Sequence, residues 1–120
     1  MRVLIVESNP ALAQLWSRHL ERQGATVFQA ASESAAIDAL SDHTVDVIVL
    51  DLLLESGSAF AVADVASYRQ PLSRVVFVTN TSFFSDGSIF RHIPNACAFL
   101  PSGMAPEDLA AVVDYYGVAH

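Results

Sequence analysis

The chain has 120 residues, 52% of them hydrophobic and 16% charged, with a formal net charge of −7. At this length one core buries roughly two thirds of the unfolded surface, so the composition describes a single packed domain spanning 1–120 and excludes a disordered tail. The six basic residues are all arginines, scattered from Arg2 to Arg91, which excludes a nucleic-acid surface built on clustered Lys or Arg, and the lone Cys97 excludes an intrachain disulfide.

The opening MRVLIV is too short for a signal peptide or a membrane span, which predicts a cytoplasmic protein. Its residues 3–6 form the first of five short apolar runs, the others covering 26–30, 45–50, 75–78 and 96–100. Alternating with helical patterns, they predict repeated βα units: a three-layer, doubly wound α/β fold with a five-stranded parallel sheet. Between the first two runs Asn9 is placed as an N-cap and Pro10 at the first helical position. Leu12, Leu15, Trp16, His19 and Leu20 then share an inward stripe, and Gly24 ends the helix. A second helix opens at Ser32 with Glu33 in its first turn and Ala36, Ile37 and Leu40 inward, and a third covers about 58–68. The stretch 80–95 is rich in loop formers interrupted by Phe83, Phe84, Ile89 and Phe90, so any helix there is short. The last helix starts near Pro106, with Glu107 and Asp108 in its first turn and Leu109, Val112, Val113 and Tyr116 at helical spacing.

In an open parallel sheet, sites form where loops converge at the carboxyl ends of the strands. That rim holds Glu7 and Ser8 after the first strand, Asp51 after the third, Thr79 and Asn80 after the fourth, and Pro101 and Ser102 after the fifth. Glu7 and Ser8 fit either a functional role or a local turn cap. Asp51 closes a wholly apolar run, so its carboxylate is either exposed at the strand tip or held by partners, because burying it unpaired is costly. Asp46, at the opposite end of that strand, has a structural role. No Gly-rich phosphate loop follows the first strand, no Ser, His and Asp order suggests a triad, and the four histidines lack metal-ligand spacing. The chain is therefore not expected to be an enzyme.

The segments VLIVES, DVIVLDLLLESGSAF, VVFVTN and ACAFLPSG, in this order on these strands, resemble the receiver domain of response regulators in two-component signalling, from residue 2 to about 116. The resemblance implies a flavodoxin-like topology and a role in phosphorelay signal transduction. It implies that Asp51 is the phosphoacceptor, Thr79 the hydroxyl that meets the phosphoryl group, and Phe99 the aromatic switch. It also implies a Mg²⁺ ion held by Glu7, Asp51 and the backbone carbonyl of Leu53, with a histidine kinase or phosphotransfer protein as donor.

Several positions depart from the family pattern. Ser8 stands where the family has a metal-ligating acid, and Ser102, followed by Gly103, where it has a lysine; the chain contains no lysine at all. Glu55, Ala59 and Asn80 replace a proline, a glycine and a small residue, and Arg91 and His92 are the nearest cationic candidates in sequence. Weakened Mg²⁺ binding follows, since Mg²⁺ is normally held by one or two carboxylates with waters and phosphate. Two readings result. In the first, Asp51 is phosphorylated and the change shifts the population of two packings of the fourth strand's loop. In the second, the fold is a phosphorylation-independent interaction or dimerisation module. In either, a downstream partner or a second copy binds through segment 80–100, whose aromatics exceed what a solvated loop carries.

Overall fold

The elements β1 (Arg2–Val6), α1 (Pro10–Arg22), β2 (Thr26–Ala30), α2 (Glu33–Asp42), β3 (Val47–Asp51), α3 (Ala59–Arg69), β4 (Arg74–Thr79), β5 (Ala96–Pro101) and α4 (Pro106–Gly117) follow one another in the computed structural model, which describes residues 1–79 and 93–117. The strands are the five anticipated runs, and the five form one parallel sheet in the order β2-β1-β3-β4-β5. This is the flavodoxin-like order, whose winding reverses between β1 and β3. Val45 stays outside β3, its N–H donating to Gln70 Oε1 at 2.9 Å, while the Asp46 N–H and carbonyl pair with Arg2 and Arg74 at the start of the neighbouring strands. Asp46 serves the structural role expected of it, its Oδ2 accepting the Arg2 N–H at 2.8 Å.

Side chains alternate across the sheet with the two-residue period of a strand. Leu4, Val6, Ile48, Leu50, Val75 and Phe77 face α2 and α3, while Val3, Ile5, Val47, Val49, Val76 and Val78 face α1 and α4. β1, β3 and β4 are buried on both faces, which is why they read as continuous apolar runs and not as alternating ones.

Helix α1 begins as anticipated, with Asn9 Oδ1 accepting the N–H groups of Ala11 and Leu12 at 3.0 and 3.3 Å, and Gly24 follows its end at φ 91°. Its inward stripe differs from the expected one. Ala13, Trp16, Ser17 and Leu20 are buried, while Leu15 is 40% exposed. Ser17 can turn inward because its hydroxyl bonds Glu21 Oε1 at 3.4 Å, one turn on. Ser32 caps α2 and Ser58 caps α3, each accepting the N–H three residues on.

At the face opposite the strands' carboxyl ends, Gln70 ties three segments together. Its Nε2 donates to the carbonyls of Leu40 and His43 at 2.8 and 2.7 Å, and its Oε1 accepts from Val45 N–H and the Ser73 hydroxyl. No helix among the described residues is long and apolar enough to cross a membrane.

Candidate functional site

The reversal of winding leaves a crevice between the carboxyl ends of β1 and β3, and the first residues past those ends of the apolar ladder are Glu7 and Asp51. The β1–β3 register pairs Val6 with Leu50, so these two carboxyls stand side by side. Glu7 is only 5% exposed. Its N–H extends the ladder to Ala30 at 3.0 Å, and its Oε2 accepts the Asn9 N–H at 3.0 Å. Burial first, and the neighbouring Asp51 carboxyl second, push the Glu7 carboxyl up to about 7 against the opposing Asn9 N–H. The open question of Glu7 as solvated or functional is thereby narrowed: it is a buried acid facing a second acid.

Asp51 is half-buried, and its Oδ1 accepts the Leu53 N–H at 3.0 Å. The Leu52 N–H continues the β3–β4 ladder to the Val78 carbonyl at 2.9 Å, which fixes the backbone just beyond Asp51. On the next strand Thr79 is 1% exposed, and the register Asp51↔Val78 sets it one residue past the level of Asp51. Phe99 pairs with Phe77 across β4 and β5 and packs, partly buried, against the core on the α2 and α3 side. Ser102 donates its N–H to the Thr79 carbonyl at 2.9 Å. Glu7, Asp51, Thr79 and Ser102 thus gather at one rim. Asn80, Arg91, His92 and the cluster Phe83, Phe84, Ile89 and Phe90 lie outside the described residues.

Ser8 does not extend the acidic pair. Its hydroxyl accepts the Glu55 N–H at 2.9 Å and reaches the Ala31 carbonyl at 3.4 Å. Glu33, read from sequence only as a first-turn acid, bonds the same connection: its Oε1 accepts the Ser58 N–H at 2.7 Å. The available signal was the Ser56-Gly57-Ser58 turn, whose positive φ at Gly57 (97°) presents backbone N–H groups that need acceptors. Leu53 is 55% exposed beside these loops. Burial pushes the Cys97 thiol up to about 11, which favours its protonated form.

Two neighbouring carboxylates suit a hard divalent cation such as Mg²⁺, which is bound through one or two carboxylates together with waters. Glu7 and Asp51 fit that role. Among the described residues no three His, Cys, Asp or Glu side chains converge, so among them this pair of acids is what the rim offers a cation.

A family model described as the response regulator receiver domain matches residues 3–111. No curated protein sequence matches the chain. Among solved structures, the chain is similar to a CheY-like response regulator receiver domain protein of Methanospirillum hungatei JF-1, with 19% identity over 97% of this chain and 92% of that one at a TM-score of 0.88. It is similar to the response regulator TrrA of Thermotoga maritima in complex with Mg²⁺-BeF, with 17% identity over 96% and 97% of the two chains at a TM-score of 0.82. A response regulator of Burkholderia pseudomallei with a phosphorylated aspartic acid, calcium ion and citrate aligns at 21% identity over 95% of this chain and 71% of that one, at a TM-score of 0.80. At such identities these likenesses carry the fold.

Proposed function

The chain belongs to the response regulator receiver domain family, and we propose that within it Asp51 accepts a phosphoryl group from a histidine kinase or phosphotransfer protein, with Thr79 and Phe99 relaying its arrival to a protein partner. The observation that carries this reading is the placement of Asp51 at the carboxyl end of β3, against Glu7 at the winding reversal and one residue short of the level of buried Thr79. One structural neighbour is described with a phosphorylated aspartic acid and another with Mg²⁺-BeF, in keeping with this reading.

In the proposed step an Asp51 carboxylate oxygen attacks phosphorus as the bond to the donor's leaving atom breaks. Catalysis of such a transfer is positioning plus neutralisation of charge spread over the equatorial oxygens. Mg²⁺, when bound, supplies part of that neutralisation, and Glu7, Asp51 and the Leu53 carbonyl are the groups that would hold it. Asp51 is oriented by the Leu53 N–H, Glu7 by the Asn9 N–H. With Ser8 and Ser102 in place of an acid and a cation, two supports are reduced, and a single lost donor costs roughly 3 kcal/mol in other enzymes. Transfer is accordingly slow.

Incubation with Mg²⁺ and a small acyl phosphate, followed by intact mass measurement, tests the reading. The expected result is a gain of one phosphoryl group that Asp51→Ala abolishes. No gain at saturating donor, or a gain that survives Asp51→Ala, overturns it.

A further inference from the structure

The connection between β3 and α3 is pinned by residues that belong to other loops. The Glu55 N–H donates to Ser8 Oγ at 2.9 Å, and the Ser8 hydroxyl points its own proton toward the Ala31 carbonyl at 3.4 Å. Next along the chain, the Ser56 carbonyl accepts the Glu33 N–H at 3.1 Å, and the Ser58 N–H donates to Glu33 Oε1 at 2.7 Å. Between them Gly57, at φ +97°, lies so close to Glu33 that a Cβ there would collide with its side chain. Residues 55, 56 and 58 are therefore tied to the connection that follows β1 and to the first residue of α2. At the near end of the same loop, Leu52 is tied to Val78 and Leu53 to Asp51.

We propose that Ser8 and Glu33 are positioning residues: together they hold the loop of residues 52–58, and Leu53 within it, in the geometry of the acidic site before any cation or phosphoryl group arrives. Two of the bonds satisfy backbone N–H groups that nothing else in the loop serves, and the one to the Glu33 carboxylate is of the stronger, charge-assisted kind. A loop already ordered in the free protein spares a ligand the entropy of ordering it. With one carboxylate fewer to attract a cation, fixing the loop from the side is how this chain keeps its site assembled. The functional consequence rests on the reading of Glu7, Asp51 and Leu53 as cation-holding groups, while the clasp itself is measured on the cation-free protein.

The test compares amide hydrogen exchange by NMR in cation-free parent, Ser8→Ala, Ser8→Thr, Glu33→Ala and Glu33→Gln proteins, followed by Mg²⁺ titration of each. Loss of one hydrogen bond corresponds to about a tenfold effect, so Ser8→Ala speeds exchange at Glu55 and Glu33→Ala at Ser58 by about that factor. Amides of β3 and β4 keep the parent rates, and the Mg²⁺ Kd rises by a similar factor. Ser8→Thr and Glu33→Gln, which retain an acceptor oxygen, restore both readouts, and the Glu33 pair decides the matter should Ser8→Ala fail to fold. Parent-like exchange at both amides in the alanine variants overturns the clasp. Unchanged Mg²⁺ affinity in variants with accelerated exchange overturns the positioning role. A parent that binds no Mg²⁺ overturns that role together with the cation site, an outcome distinct from either of the others.

Discussion

The carboxyl of Glu7 lies within hydrogen-bond reach of that of Asp51, and burial with this neighbour pushes it from 4.5 up to about 7. The consequence for stability has a definite sign. An acid whose folded value is raised binds its proton more tightly in the native state, so its contribution is fully present below pH 4.5 and is lost as pH rises through about 7. At about 1.4 kcal/mol for each pH unit between the unfolded and folded values, the loss is at most on the order of 3 kcal/mol, and water at the rim reduces it. In urea unfolding followed from pH 4 to pH 8, Glu7→Gln should gain on the parent across this window. Parallel stability curves for the two proteins would contradict the assignment.

Cation binding draws on the same pair. Mg²⁺ that binds only the native state raises the melting temperature in proportion to the logarithm of its concentration above Kd. The parent is expected to show such a rise, and Asp51→Ala to lose it, because one carboxylate alone is left. A melting temperature of Asp51→Ala that responds to Mg²⁺ as the parent does would place the cation elsewhere.

Ser102 stands where the family pattern has a cation, and its backbone is fixed to Thr79 at the rim. A positive charge there offsets charge on the incoming phosphoryl oxygens, and a gain of about 1.4 kcal/mol in the transition state is tenfold in rate. Ser102→Lys should therefore raise the rate of Asp51 phosphorylation by about tenfold. The check is the time course of the mass gain with a small acyl phosphate, and an unaltered or slower course would remove charge at residue 102 as the limiting factor.

Gln70 lies far from this chemistry yet satisfies three groups, the Leu40 and His43 carbonyls and the Val45 N–H; the Ser73 hydroxyl beside it also reaches the Val45 carbonyl. Truncation leaves part-buried partners unpaired, at about 1–3 kcal/mol for an unsatisfied group. Gln70→Ala is expected to lower the urea midpoint by an amount corresponding to about 2–3 kcal/mol, with the m-value unchanged. A loss under about 0.5 kcal/mol would mean that water replaces these bonds.

The strands were legible in the sequence because β1, β3 and β4 are buried on both faces, which leaves uninterrupted apolar runs ended by polar residues such as Glu7 and Asp51. The inward stripe of α1 was less so. Leu15 is the more hydrophobic residue, but Ser17 occupies the helical position in line with Ala13, Trp16 and Leu20, and its hydroxyl finds a local partner in Glu21. At the site, strand ends identified Glu7, Asp51, Thr79 and Ser102, since rim positions follow from topology. The partners of Ser8 and Glu33 were not readable, because each bond joins segments separated by more than 20 residues and depends on how those segments pass one another in space.

Ser8 also supplies the sharpest test of what its substitution did to the site. Ser8→Asp adds a third carboxylate beside Glu7 and Asp51 while keeping an oxygen that accepts the Glu55 N–H; it removes the hydroxyl proton directed at Ala31. Without cation, three acids repel one another, so the variant should melt a few degrees below the parent, and its deficit should grow with pH as the carboxyls ionise. With Mg²⁺ the same three acids are a better ligand set, so its affinity should exceed that of the parent by about tenfold or more. The order of the two melting temperatures therefore inverts between cation-free and Mg²⁺-saturated conditions. Thermal melts in both conditions measure this directly, and a variant that melts below the parent in each would show that residue 8 does not approach the cation.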